Sequence, residues 1–393
     1  MSGGATNPLQ KLATYGQSPW LDNINRRLIT SGDLGRLVDD GIRGVTSNPT
    51  IFNKAIAEGQ DYDDQLAELA GTTKSADAIF EAMAVRDLQT GCDVFRPLYE
   101  QTNGADGFVS IEVAPELAYD TPGTIAMARH LHEVINRPNL LVKIPATPEG
   151  VPAIEQMIAE GRSINVTLIF ALEAYEDVAD AYITGLERLV SAGKPLDRVA
   201  SVASFFVSRV DTAVDKRLDA KLKTESEPKR QEELRALHGK AGIANSQLAY
   251  EIFERIFNAP RFQALRAKGA HPQRVLWAST SVKNPAYPEL MYVEALVGPD
   301  TVDTMPPATV DAYKLRGKPV ANAVRQNLAG AHATIDRLEQ AGISMREVTD
   351  VLIKDGVKLF ADSYNELIAG IGKKAEAMRQ AKAARQPAAA GRA

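Results

Sequence analysis

The run PNLLVKIPAT, residues 138–147, sets one lysine in the middle of an aliphatic strand. With the two-residue period of a strand, Leu140, Val142 and Ile144 share one face and Leu141 and Lys143 the other. Pro145 closes the run. A cation in such surroundings is costly unless a partner pairs with it or a reaction uses it.

The same division recurs on both sides of this strand. In FVSIEV (108–113), Val109, Ile111 and Val113 oppose Ser110 and Glu112. In INVTLIF (164–170), Ile164, Val166 and Leu168 oppose Asn165 and Thr167. Asp22 stands opposite Leu21 in WLDN (20–23), and Thr46 and Asn48 stand opposite Val45 in GVTSN (44–48). Each strand has an aliphatic face and a face carrying polar or ionisable groups late in its course.

Short apolar strands alternate with longer amphipathic segments along nearly the whole chain. Eight candidates emerge: 19–24, 44–49, 107–113, 140–145, 163–170, 198–206, 274–280 and 303–309. The last, DTMPPAT, is weakened by two prolines. Helical patterns lie between them. In 172–192, residues Leu172, Tyr175, Val178, Ala179, Tyr182, Ile183, Leu186, Leu189 and Val190 mark one face, and Gly193 is a stop signal. The stretches 149–161 and 322–343 read the same way.

Strands joined by helices predict an α/β fold, a single-domain (β/α)8 TIM barrel over residues 1–372, because parallel strands need crossovers and closure removes the edges. An open doubly wound sheet would carry a glycine-rich phosphate turn after an early strand, and the sequence has none. The charged stretch at about 215–240 reads as an exposed helical insertion between strands six and seven. The Ala- and Arg-rich tail, 373–393, is expected to fray.

Composition narrows the function. The chain has 393 residues, 45% apolar and 24% charged, which is ordinary for a globular protein. Its net charge of -5 and the lack of a basic, aromatic-laced stripe speak against nucleic-acid binding. The single cysteine, Cys92, excludes an internal disulfide and multi-cysteine metal clusters. No run of 18 apolar residues predicts a membrane span, and no secretory pattern opens the chain, so a cytoplasmic protein is expected.

In a barrel the second faces point inward, and Asp22, Asn48, Glu112, Lys143, Asn165 and Thr167 meet where barrel active sites sit. Taken singly, each has a duller reading. Asp22 would suit a helix N-cap, Asn48 would shape a turn before Pro49, and Glu112 with Lys143 would form a buried ion pair. Taken together, a sheltered lysine among carboxylates, with no metal-ligand set, points to a Schiff base with a ketone. The attacking amine must be neutral; desolvation favours that form and nearby carboxylates oppose it. Asp22 and Glu112 would divide the proton transfers, and Thr167 and Asn165 would hold a water or a substrate hydroxyl. The five histidines form no spaced metal pair at a strand end, and no G-x-S-x-G elbow occurs.

Through these residues the chain resembles the transaldolases over most of its length. GVTSNPTIF, LLVKIPAT and INVTLIF are similar to the family's second-strand motif, its lysine segment and the strand that follows. SFFVSR and STSVKN resemble later phosphate-binding segments, and WASTSVKNPAY with the charged insertion resembles the longer bacterial and plant-type subfamily. The resemblance implies a barrel of the class I aldolase type. It implies transfer of a dihydroxyacetone unit from sedoheptulose 7-phosphate to glyceraldehyde 3-phosphate, in the non-oxidative pentose phosphate pathway. No metal or organic cofactor is implied.

By motif match Lys143 takes the Schiff-base role, Asp22 the proton at the substrate C4 hydroxyl, and Glu112 with Thr167 the water. Asn48 and Asn165 would bind the dihydroxyacetone hydroxyls, and Ser204, Arg209 and Lys283 the phosphate. Lys283 stands where shorter members carry arginine, a point charge in place of a two-pronged donor. A fructose 6-phosphate aldolase is the nearest alternative. It is much shorter and tends to carry Gln and Tyr where this chain has Glu112 and Phe206. A non-catalytic sugar-phosphate-binding barrel would not need Lys143, Asp22 and Glu112 together. Partners other than phosphorylated sugars are not expected, and the polar insertion points to a monomer or weak homodimer.

Overall fold

The lysine strand, Leu140–Pro145, is buried along its whole length and hydrogen-bonded at both edges. Each neighbour is paired in turn, so the sheet closes in chain order. The strands are β1 (Gln17–Asp22), β2 (Gly44–Thr46), β3 (Phe108–Glu112), β4 (Leu140–Pro145), β5 (Ile164–Ile169), β6 (Ser201–Phe206), β7 (Arg274–Ala278) and β8 (Thr301–Met305). All pairings are parallel, including β1 with β8, which makes a (β/α)8 barrel. The computed structural model describes residues 7–73 and 75–385. Residues 1–6 of the expected domain and 386–393 of the expected tail lie outside them.

Alternation decides which side chains go where. Leu140, Val142, Ile144, Ile164, Val166, Val45 and Val109 pack outward with the helices in one large cluster. Trp20, Phe108, Leu141, Val202, Leu276 and Val302 belong to a second cluster that fills the ring. Gly44 makes room for that filling, because a Cβ there would lie 2.5 Å from the Trp20 ring. Below the indole, Asp106 plugs the ring, 7% exposed. It accepts from Ser18 Oγ at 2.7 Å and pairs with Arg43 at 2.6 Å and Arg274 at 3.2 Å.

Three sequence readings shift. β8 runs over Thr301–Met305, not 303–309. Proline has no N–H for the ladder, so Pro306 caps and Pro307 begins the next helix. β2 stops at Thr46, because Asn48 is the N-cap of the helix Pro49–Glu58. Leu168 leaves the outward face: the pairing slips between Val166 and Ile169, Leu168 takes φ +58°, and its side chain joins the second cluster. A leucine in that conformation is strained unless its surroundings hold it there.

The segment 215–240 covers the end of the helix Ser208–Leu222 and the helix Pro228–Arg235. Leu218, Leu234 and Leu237 are buried, and Asp215 accepts from Gly239 N and the Tyr287 hydroxyl, so the expected exposed insertion is tied down. The tail does not fray at Lys373. The C-terminal helix spans Met345–Arg385, because Lys374 donates to the carbonyls of Ile56 and Gly59 and Arg379 to those of Ala70 and Thr73. Removing residues 373–393 therefore lowers stability to urea by about 2 kcal/mol or more, since charged donors and a docked turn are lost. An unchanged midpoint and slope would mean that the tail contributes nothing.

On the outward face of β8, Asp303 is fully buried. One carboxyl oxygen accepts from Thr280 Oγ1 at 2.8 Å, and the other has no partner among the described residues. Burial pushes this carboxyl from 3.8 up to about 7. Between about pH 4 and 7 the folded chain keeps a proton that the unfolded chain has lost. Stability from this site is therefore full below pH 4 and declines as the pH rises through 7. Asp303→Asn carries no charge to desolvate. We expect it to gain on the parent as the pH rises from 4 to 8, by up to about 4 kcal/mol in unfolding free energy. A difference that stays flat over that range would show that Asp303 does not titrate there.

Candidate active site

Register brings the inward groups of neighbouring strands to one level. Glu112 lies beside Lys143, Lys143 beside Asn165, Pro145 beside Thr167, and Asp22 beside Thr46. Above them, at the C-terminal ends of the strands, opens a cavity of about 220 Å3. Asp22, Asn48, Lys143, Thr167, Ser204, Arg209 and Lys283 all line it, from six strands or their following loops. Glu112 lines the adjoining gap with Phe360 and Leu168.

Lys143 is 6% exposed. Its Nζ donates to the Ser47 carbonyl at 3.2 Å and more loosely to Glu112 Oε2 at 3.5 Å. Burial raises the Glu112 carboxyl above its ordinary value, and the charge of Lys143 opposes that rise. Asp22 is also raised by burial, against a hydrogen bond from Thr46 and the charges of Lys143, Arg209 and Lys283. Thr46 Oγ1 donates to Asp22 at 2.7 Å. A hydroxyl has one proton, so at its 2.7 Å contact with Thr304 it must be the acceptor.

Two atoms in the site are buried without a partner among the described residues: Thr167 Oγ1 and Arg209 Nη1. Such groups are costly when empty and are ready to bind. Arg209 lies over the Phe206 ring at 4.9 Å, and no carboxylate among the described residues is within ion-pair distance. Asp211, two residues on, is taken up by Gly242 N and the Tyr292 hydroxyl. Burial lowers the Arg209 guanidinium below its usual value. Lys283 is exposed at the rim and donates to Ser281 Oγ at 2.7 Å.

Asn48 does more than shape a turn before Pro49: it caps a helix and also lines the cavity. Its Oδ1 caps the following helix through Ile51 N at 3.0 Å, which leaves the amide NH2 for the cavity. Asn165 is fully buried, accepting from Ser204 Oγ at 2.7 Å and donating to Ser110 Oγ at 3.2 Å. Ser204 therefore faces the cavity with its proton already committed, and what it has left to offer is an acceptor. Sequence reasoning put Thr46 on the polar face without giving it a role, and it missed Thr304, Ser279, Ser281 and Phe360. Thr304 had a signal in strand alternation, two residues from the inward Val302, whereas Ser279 and Ser281 lie beyond the end of β7 and had none. Phe360 had none, for it reads like any apolar residue of a helix.

Fold and site together define an enzyme of the (β/α)8 class, with a sheltered lysine between two carboxyls at the carboxyl end of the strands. A family model described as transaldolase/fructose-6-phosphate aldolase matches residues 19–371. The transaldolase of Acidothermus cellulolyticus is 48% identical over 376 residues, 95% of this chain and 99% of that one. That of Thermobifida fusca is 49% identical over 363 residues, 92% and 96% of the two chains. Transaldolase 2 of Streptomyces coelicolor is 46% identical over 364 residues, again 92% and 96%. The chain belongs to the transaldolase/fructose-6-phosphate aldolase family, on its transaldolase side, and so acts on sugar phosphates.

An unpaired, half-buried guanidinium makes a direct prediction. Inorganic phosphate is expected to raise the melting temperature of the parent, because a ligand that binds only the folded state stabilises it. Arg209→Gln should abolish at least about nine-tenths of that rise, and Lys283→Gln should remove less. An equal phosphate shift in Arg209→Gln would show that the anion binds elsewhere.

Proposed function

We propose that this transaldolase joins its ketose donor to Lys143 and moves a dihydroxyacetone unit from sedoheptulose 7-phosphate to glyceraldehyde 3-phosphate. The products are erythrose 4-phosphate and fructose 6-phosphate, in the non-oxidative pentose phosphate pathway. The observation that carries the reading is the Lys143 amine, 6% exposed on a cavity floor between two carboxyls that burial holds toward their neutral forms.

The neutral amine adds to the C2 carbonyl of the donor, and loss of water leaves an iminium. Glu112 passes protons to and from that water, with the unpartnered Thr167 hydroxyl holding it. Asp22 takes the C4 hydroxyl proton as the C3–C4 bond breaks, the aldehyde leaves, and the iminium becomes an enamine. The enamine carbon then attacks the acceptor aldehyde, Asp22 returns the proton, and water releases the product. Asn48 binds a dihydroxyacetone hydroxyl through its free amide, while Asn165 acts through Ser204 from below. Arg209 holds the phosphate with Lys283 at the rim.

Glu112 and Phe206 favour transfer over the free release expected of a fructose 6-phosphate aldolase. Arg209 alone would serve a binding barrel, but Lys143, Asp22 and Glu112 would have no purpose there. We place the enzyme in the cytoplasm, as one barrel domain working as a monomer or weak homodimer. No helix among the described residues is long and apolar enough to cross a membrane.

Lys143→Arg keeps the charge and cannot form the imine. In a coupled assay with sedoheptulose 7-phosphate and glyceraldehyde 3-phosphate, it should lose activity by about a thousandfold or more while its circular dichroism is unchanged. Borohydride with fructose 6-phosphate should place the sugar adduct on Lys143 of the parent. An adduct on another side chain, or none, would end the Schiff-base reading.

A further inference from the structure

The groups nearest the Lys143 amine on its own strands are polar: the Ser47 carbonyl, Glu112 and, across the cavity, Asp22 and Asn48. Phe206, Ala278 and Pro306 also line the cavity, but the aromatic ring that lies over the amine comes from the far end of the chain. The ring centroid of Phe360, on the C-terminal helix, is 5.8 Å from Nζ. Phe360 lines both the main cavity and the gap beside Glu112.

The helix is held firmly in this place. One turn before Phe360, a Cβ on Gly356 would come within 3.0 Å of Leu168 Cδ2, so the helix seats on the left-handed residue that follows Thr167. Just beyond Phe360, Ser363 accepts from Thr50 Oγ1 at 3.0 Å, and Tyr364 donates to Asp77 at 3.1 Å. Tyr364 also meets the Phe80 ring edge-on at 5.9 Å. The ring is thus fixed over the amine by contacts on both sides.

We propose that Phe360 is a specificity-determining residue: it roofs Lys143 and keeps solvent from protonating C3 of the enamine, so that the three-carbon unit passes to an aldehyde instead of being released. The inference rests on the Schiff-base reading above. Release consumes one water: a hydrogen goes to the enamine C3, the oxygen to C2, and the second hydrogen to nitrogen, giving dihydroxyacetone and the free amine. Transfer instead joins C3 to the acceptor carbon. Both start from the same enamine and both end in hydrolysis by the water held at Glu112 and Thr167, so delivery of a solvent proton to C3 before the acceptor arrives decides between them.

The test uses the full chain and two assays on fructose 6-phosphate: dihydroxyacetone released without acceptor, and sedoheptulose 7-phosphate formed with erythrose 4-phosphate. Phe360→Ala should raise the ratio of release to transfer by about tenfold or more, and Phe360→Leu by less than about threefold. If Phe360→Ala does not fold, Phe360→Val is read in its place. Two rates that fall by the same factor, leaving the ratio at the parental value, would overturn the role of Phe360. So would a tenfold rise in Phe360→Leu, which would assign the effect to helix packing. A parent with no borohydride adduct on Lys143 overturns the proposed function itself, while an adduct with an unmoved ratio overturns only this inference.

Discussion

Lys143 sits 6% exposed, 3.5 Å from Glu112, with Asp22 across the cavity, and that desolvation shapes everything around it. Burial raises both carboxyls, and the neighbouring positive charges pull them back. An ion pair of this kind contributes little to stability, because removing its members from water roughly cancels their attraction. The fold must therefore supply the stability elsewhere and hold the groups against relaxation. A closed ring does both. Each inward side chain is fixed by a strand paired on two sides, and the cost of the site is spread over a large apolar interior.

The barrel holds a second ionic cluster, and the contrast between the two is instructive. At the lower end Asp106 is matched by Arg43, Arg274 and Ser18, within 2.6 to 3.2 Å. That cluster closes the ring. At the upper end Arg209 and Thr167 keep unpartnered atoms, and Asn48 keeps an amide in reserve. Between them lies the plug of Trp20, Leu141, Val202, Leu276 and Val302. Satisfied polar groups rigidify, whereas groups left short of partners inside a cavity are available to a ligand.

Strand alternation made most of this legible. The period of two placed Lys143, Glu112, Asp22, Asn165 and Thr167 on inward faces, and each lies there. It failed at Leu168, where one extra residue slips the register and turns the side chain to the other face. It shifted β8, where two prolines belong to the helix start. The Asp106 cluster stayed hidden because its members are 63 and 168 residues apart and no local pattern links them. The helical course of residues 373–385 stayed hidden for a related reason. Their composition looks loose, yet Lys374 and Arg379 find carbonyl partners more than 300 residues away.

The strained residue and the C-terminal helix belong to one device. β5 has to present Thr167 inward and then leave the ring, and the bulge at Leu168 makes the turn within one residue. The same turn lifts the Leu168 side chain toward Gly356, whose missing Cβ lets the helix settle on it. One further turn along that helix is Phe360. The floor strand that offers the unpartnered Thr167 hydroxyl therefore also sets the height of the ring above Lys143. A strained backbone is retained where surrounding contacts over-determine it. Here those contacts come from the last helix of the barrel, which explains why a segment so remote in sequence is docked so completely.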